Sequence, residues 1–278
     1  MRRVLLAALL PAGALAIVAG LAGVVVLAGR GADPVASGVE TAAPAETPST
    51  LPRLNSEGNV CQGLLRRPDP SAPRVFAAEY TKRVEAAGLA IVANADVNDE
   101  ALEIARKTVE RVFQGNDLEV PLAEEGAYVI VAARDQGVLD LPEFRCLEGP
   151  GSQDYFSHVC GVADRADYPV VTVNELDLLG DRSGPCGGLN ILFHELGHLV
   201  QGWTLPQADY YEIRQLFQDA KSAGKYEGDY AATNANEYFA EATQSYFLDS
   251  DPRRSRGRAW LEQYDPAIYD LLVRVYGD

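Results

Sequence analysis

Residues 190–200 read Asn-Ile-Leu-Phe-His-Glu-Leu-Gly-His-Leu-Val, which puts two histidines four positions apart in a largely apolar run. On an α-helix, residues four apart lie on nearly the same face, so His194 and His198 present two imidazoles to one ion. Glu195, one position on, can reach a water on that ion without ligating the ion itself. Leu192, Leu196 and Leu199 mark the opposite, core-facing side. Gly197 costs helix stability relative to alanine, so its expected reason is close packing against the metal site or another backbone. The run therefore requires a helix with one buried apolar side and one chemical side.

His-Glu-x-x-His is the zinc-peptidase spacing, and a catalytic zinc takes three protein ligands plus water. One extension of the motif adds a glycine three residues after the second histidine and a third histidine three further on. Gln201 and Thr204 stand there, so that extension is absent. The only other histidine, His158, lies upstream in a cysteine-bearing loop and reads as a surface residue. The third ligand of a single zinc ion is then expected to be a carboxylate. Asn236-Glu-Tyr-Phe-Ala-Glu241 supplies two, Glu237 and Glu241, on one face of an expected helix. Glu237 is assigned as the ligand and Glu241 as the acceptor for a ligating imidazole N–H; the reverse order is the alternative.

The His-Glu-x-x-His helix, followed some forty residues later by Asn-Glu-x-x-Ala-Glu, resembles the gluzincin metallopeptidases. Within them it is most similar to the branch of the anthrax lethal factor catalytic domain and the Pro-Pro endopeptidases. In that branch a tyrosine seven residues before the glutamate ligand faces the substrate carbonyl, and Tyr230 holds that position here, with Tyr226 nearby. The resemblance spans residues 168–250. It implies a zinc endopeptidase in which Glu195 is the general base, Tyr230 hydrogen-bonds the oxyanion, and an edge strand flanks the cleft. Val171–Asn174 is the candidate for that strand, with an ordinary core strand as the alternative. The rival to catalysis is a zinc-binding relative that acts as a cell-surface binding or interaction domain.

The 278-residue chain begins with Met1-Arg2-Arg3 and an uncharged apolar run from Val4 to Gly29. Residues 1–30 read as a signal peptide or an N-terminal membrane anchor, with the arginines on the cytoplasmic side. Everything downstream is then exported, secreted or tethered through residues 4–29. Residues 31–57, rich in Pro, Ala, Ser and Thr, read as a flexible linker. Removing Arg2, Arg3 and Arg30 from the 24 basic residues leaves 21 against 40 acidic ones, a net charge of −19. That charge argues against nucleic acid as a partner; a peptide or protein substrate is what the metallopeptidase resemblance implies. Cys61, Cys146, Cys160 and Cys186 all lie in the exported part, where an even number predicts disulfides of open connectivity.

The remaining 58–278 form one metallopeptidase-like domain. Apolar runs predict strands at 89–93, 127–132 and 168–173, and helical spacing predicts helices at 99–113, 188–201, 207–222, 234–248 and 266–276. Between them, 134–167 reads as loop. Strands first and helices after give an α+β fold, a small sheet lobe followed by a mainly helical lobe with a zincin-like active-site helix. Asn174, Glu175, Asp177 and Asp181 form a small acidic cluster expected to be a solvated loop.

Overall fold

Leu89–Ala93, Tyr128–Ala132 and Val170–Asn174 are buried at every position, as strands covered on both faces must be. The computed structural model describes residues 75–149, 151, 156–157, 159–163, 169–249 and 256–277. Among these, β1 (Lys82–Ala86), β2 (Leu89–Ala93), β3 (Tyr128–Ala132), β4 (Gly161–Ala163) and β5 (Val170–Asn174) form one sheet in the order β1-β2-β3-β5-β4. β2, β3 and β5 are parallel, and the outer strands β1 and β4 run antiparallel to their neighbours. β1 turns into β2 through Ala87 and Gly88, both at positive φ, the geometry of a two-residue hairpin.

Parallel neighbours need a crossover. Between β2 and β3 it consists of α1 (Asp99–Phe113) and α2 (Glu119–Glu124). Asn98 starts α1 by accepting the Glu100 N–H at 2.8 Å. The apolar stripe Ala101, Ala105, Val109 and Val112 is buried. One core lies between the sheet and the helices and takes Ile91, Val129 and Val173 from the strands. A second, smaller core on the other face takes Val92, Ile130 and Val162, covered by the turns around Val138 and Phe144.

After α3 (Glu175–Leu178) the chain is helical: α4 (Leu192–Trp203), α5 (Gln207–Ser222), α6 (Ala235–Phe247), α7 (Arg258–Tyr264) and α8 (Pro266–Tyr276). A small sheet followed by a helical region is the α+β arrangement expected. α4 begins at residue 192 rather than 188 because Gly187 and Gly188 take positive φ. The Asn190 side chain then accepts the Leu192 N–H at 3.0 Å.

Two expectations are corrected. Val171–Asn174 is not an edge: β5 is hydrogen-bonded to β3 on one side and β4 on the other. The edge beside the α4 helix is β4, only three residues long and therefore lost in a segment read as loop. The acidic cluster is not a solvated loop either, since Asn174, Glu175 and Asp177 are buried. Glu175 accepts the N–H groups of Asn98 (2.6 Å) and Arg134 (2.9 Å). Asp177 accepts those of Cys186 and Gly188, both at 2.9 Å. These side chains satisfy loop backbone that would otherwise be buried without partners; Asp181 alone stays exposed.

Cys160 and Cys186 form a disulfide that joins the start of β4 to the loop ahead of α4. Cys61, the Cys146 side chain, His158 and the segments 1–30 and 31–57 lie outside the described residues. Among the described residues no helix is long and apolar enough to cross a membrane.

Candidate metal centre

α4 carries His194 and His198 on the side away from Leu192, Leu196 and Leu199, which are fully buried. α6 starts at Asn234, whose side chain accepts the N–H groups of Asn236 (2.9 Å) and Glu237 (3.0 Å). That cap fixes Glu237 in the first turn, where the helix dipole favours a carboxylate. α4 and α6 meet at Gly197. A Cβ there would lie 3.0 Å from the Thr243 Cβ and 3.1 Å from the Ala240 Cα. The missing side chain lets the two helices approach backbone to side chain, which answers the question the sequence posed. One turn away, Phe193 stacks on Phe247 with centroids 5.5 Å apart.

The approach brings three ligand-type atoms to one point. The Nε2 atoms of His194 and His198 are 3.1 Å apart. Glu237 Oε2 is 3.2 Å from each of them. A tetrahedral zinc with ligands at about 2.0–2.1 Å sets those ligands about 3.3–3.4 Å apart, so the triangle fits such an ion. Glu237 Oε2 is buried and completes no hydrogen bond within the protein. A buried carboxylate oxygen facing two imidazole nitrogens is what a cation would satisfy. Among the described residues, this is the cluster of His, Cys, Asp and Glu able to hold a metal ion.

The surrounding charges are arranged to match. Burial would lower the His194 imidazole, but its contacts with Glu237 and Glu241 outweigh burial and push it up to about 10. Burial would raise Glu237, and its contacts with His194 and His198 overcome this and hold it at about 2. Glu241, half-buried one turn on, places Oε1 3.4 Å from His194 Nδ1, on the ring side opposite the cluster. Glu195 is fully buried, and neither of its oxygens completes a well-formed hydrogen bond, although the Ala163 N–H of β4 faces the carboxylate. Burial raises its carboxyl, opposed by His194 and His198. A carboxyl raised in this way holds a proton more readily than an exposed glutamate does.

Tyr230 opens a 3-10 turn, Tyr230–Ala232, and its ring centroid lies 6.2 Å from that of His194. Tyr226 takes another place: it is buried, at φ 61°, with its ring against Tyr238 and Tyr264. Gly161 of β4 was not anticipated from sequence. A Cβ on it would strike the Thr172 carbonyl at 2.5 Å and Ile191 Cδ1 at 2.7 Å, and would sit 3.3 Å from Glu195 Oε1. The glycine therefore lets the edge strand lie directly over the Glu195 end of α4. A glycine inside a short apolar run next to a cysteine was the available signal.

Fold and site together define a mixed α/β protein with a candidate metal centre of two helix histidines and a glutamate from the next packed helix. The chain belongs to the family described as anthrax toxin lethal factor, N- and C-terminal domain, whose family model matches residues 86–275, more than half its length. No curated protein and no solved structure matches it significantly.

Proposed function

We propose that this chain is an exported zinc endopeptidase that hydrolyses peptide bonds in peptide or protein substrates. The observation that carries the reading is the convergence of His194, His198 and Glu237 beside a fully buried Glu195 whose oxygens complete no hydrogen bond to another side chain. A purely structural metal site has no use for such a carboxylate, which argues against the non-catalytic binding relative. Membership of the lethal factor family supports zinc as the metal. Bound there, zinc would polarise a substrate carbonyl and lower the pKa of a water toward about 7.

The protein's own groups do the rest. His194, His198 and Glu237 hold the ion, and Glu241 accepts from His194 Nδ1 and so orients the ring. Glu195 takes the proton from the attacking water and passes it to the leaving amine. Tyr230 donates a hydrogen bond to the developing oxyanion, a contribution that reaches a few kcal/mol when preorganised. An extended substrate would lie along β4, the strand edge over Glu195. The N-terminal apolar run supports export, with a possible tether through residues 4–29, and the acidic net charge supports a role without nucleic acid.

The test is Glu195→Gln in the purified chain, assayed on a peptide library with a chelator control. The variant should keep stoichiometric zinc and lose turnover by about a thousandfold or more. Wild-type activity in Glu195→Gln would sink the mechanism, and a zinc-loaded wild type without turnover would sink the peptidase reading.

A further inference from the structure

The turn that carries Tyr230 is held from outside the metal centre. Asp229 precedes it and caps it, accepting the Ala231 N–H at 3.1 Å. The other carboxylate oxygen of Asp229 receives Arg256 Nη1 in a close charge-assisted contact. Arg256 is itself propped, with its guanidinium carbon 4.7 Å from the Trp260 ring centroid, and Trp260 stacks on Tyr264 at 4.7 Å. Tyr264 closes the circuit: its hydroxyl accepts the Tyr226 N–H at 3.0 Å, and the Asp229 N–H returns to the Tyr226 carbonyl at 2.8 Å. Tyr226 and Asp229, which lead into the Tyr230 turn, are therefore held by α7 and by Arg256 just before it.

We propose that Arg256 is a positioning residue for Tyr230, acting through Asp229 and resting on Trp260. This rests on the peptidase reading, in which Tyr230 donates to the oxyanion. The physical case is one of leverage. Asp229 is adjacent to Tyr230, so losing the Arg256 contact weakens one hold on the capping carboxylate and lets the turn shift. Half-buried, charged and stacked on an aromatic face, the guanidinium is held more firmly than a solvated ion pair. A displacement of about 1 Å at such a donor costs about a hundredfold in rate. Arg256 touches no ligand of the metal, so the ion itself should be unaffected.

The experiment uses the zinc-loaded full chain with an internally quenched peptide library, comparing wild type, Arg256→Ala, Arg256→Lys, Tyr230→Phe and the Arg256→Ala/Tyr230→Phe double variant. Arg256→Ala is expected to lower kcat about tenfold to a hundredfold, with KM within about twofold and zinc content unchanged. Arg256→Lys, which keeps the charge but not the planar stack, should recover part of the loss. In the Tyr230→Phe background the same Arg256→Ala change should cost nothing further. Hydrogen exchange, read without turnover, should quicken across 226–232 in Arg256→Ala and stay as in wild type across 192–203. Unchanged exchange at 226–232, or an Arg256→Ala loss as large with Phe at 230 as with Tyr, overturns the proposal. A zinc-loaded wild type without turnover overturns the peptidase reading instead, and the exchange measurement still decides whether Arg256 clamps the turn.

Discussion

Gly197 faces Ala240 so closely that a methyl group on the glycine would sit 3.1 Å from the Ala240 Cα. The contact lies between the helix of the two histidines and the helix of Glu237, so it sets how near the third ligand comes. Gly197→Ala gains helix propensity of about 1 kcal/mol. It must also move a packed backbone, at a cost of about 1–3 kcal/mol. The expected result is a net loss of stability with zinc binding weakened tenfold or more, measured by chelator competition alongside denaturant unfolding. Wild-type affinity would mean that the interhelix distance does not control the site.

Glu237 and Glu241 should separate cleanly. Glu237 Oε2 lies 3.2 Å from both Nε2 atoms, whereas Glu241 Oε1 lies 3.4 Å from His194 Nδ1, on the ring's other side. Glu237→Ala should abolish stoichiometric zinc in metal analysis. Glu241→Ala should retain it with affinity reduced about 10–100-fold. The opposite pattern would exchange their roles.

Metal uptake should be steeply pH-dependent. In the metal-free protein the Glu237 and Glu241 contacts outweigh burial and push His194 up to about 10. Only the neutral imidazole ligates, so below that pH the ion must displace a proton from His194. Apparent affinity should therefore fall about tenfold per pH unit as pH drops from 8 to 6. Calorimetry at pH 7 in buffers of different ionisation enthalpy should report at least about one proton released per ion. Glu237, held near 2, stays ionised throughout and adds nothing to the slope.

The Cys160–Cys186 bond closes a loop between residues 26 apart, enclosing β4, β5 and the approach to α4. Replacing both cysteines by alanine should lower unfolding free energy by about 2–4 kcal/mol. Denaturant melts of the two forms check this, and an unchanged midpoint would show that the bridge adds no stability.

Much of this was legible in the sequence where local pattern and burial agree. α1, α5 and α8 keep the spans expected from helical spacing because each has one apolar stripe and a clear start. The candidate metal cluster was legible because His194 and His198 stand four apart on one helix and Glu237 and Glu241 four apart on another. What escaped was set by partners distant in sequence. β1, Lys-Arg-Val-Glu-Ala, is a strand because β2 pairs with it along all five residues, and its own polarity hides that. β4 is three residues long, below what periodicity detects. Glu175 and Asp177 read as solvated because acidic residues usually are, and their burial depends on the N–H groups of residues 98, 134, 186 and 188. Arg256 and Asp229, 27 positions apart, carry no pattern that links them.

The two ends of the sheet also bear on how the protein behaves in a crowded solution. An exposed strand margin invites another chain to add to it, and long apolar margins start aggregates. Here one margin is β1, with Lys82, Arg83 and Glu85 along it, and the other is β4, which offers only three residues. Neither is a good template for a second copy of this chain. Among the described residues, the strand margin beside the candidate metal centre is thus too short to recruit a second copy by edge pairing.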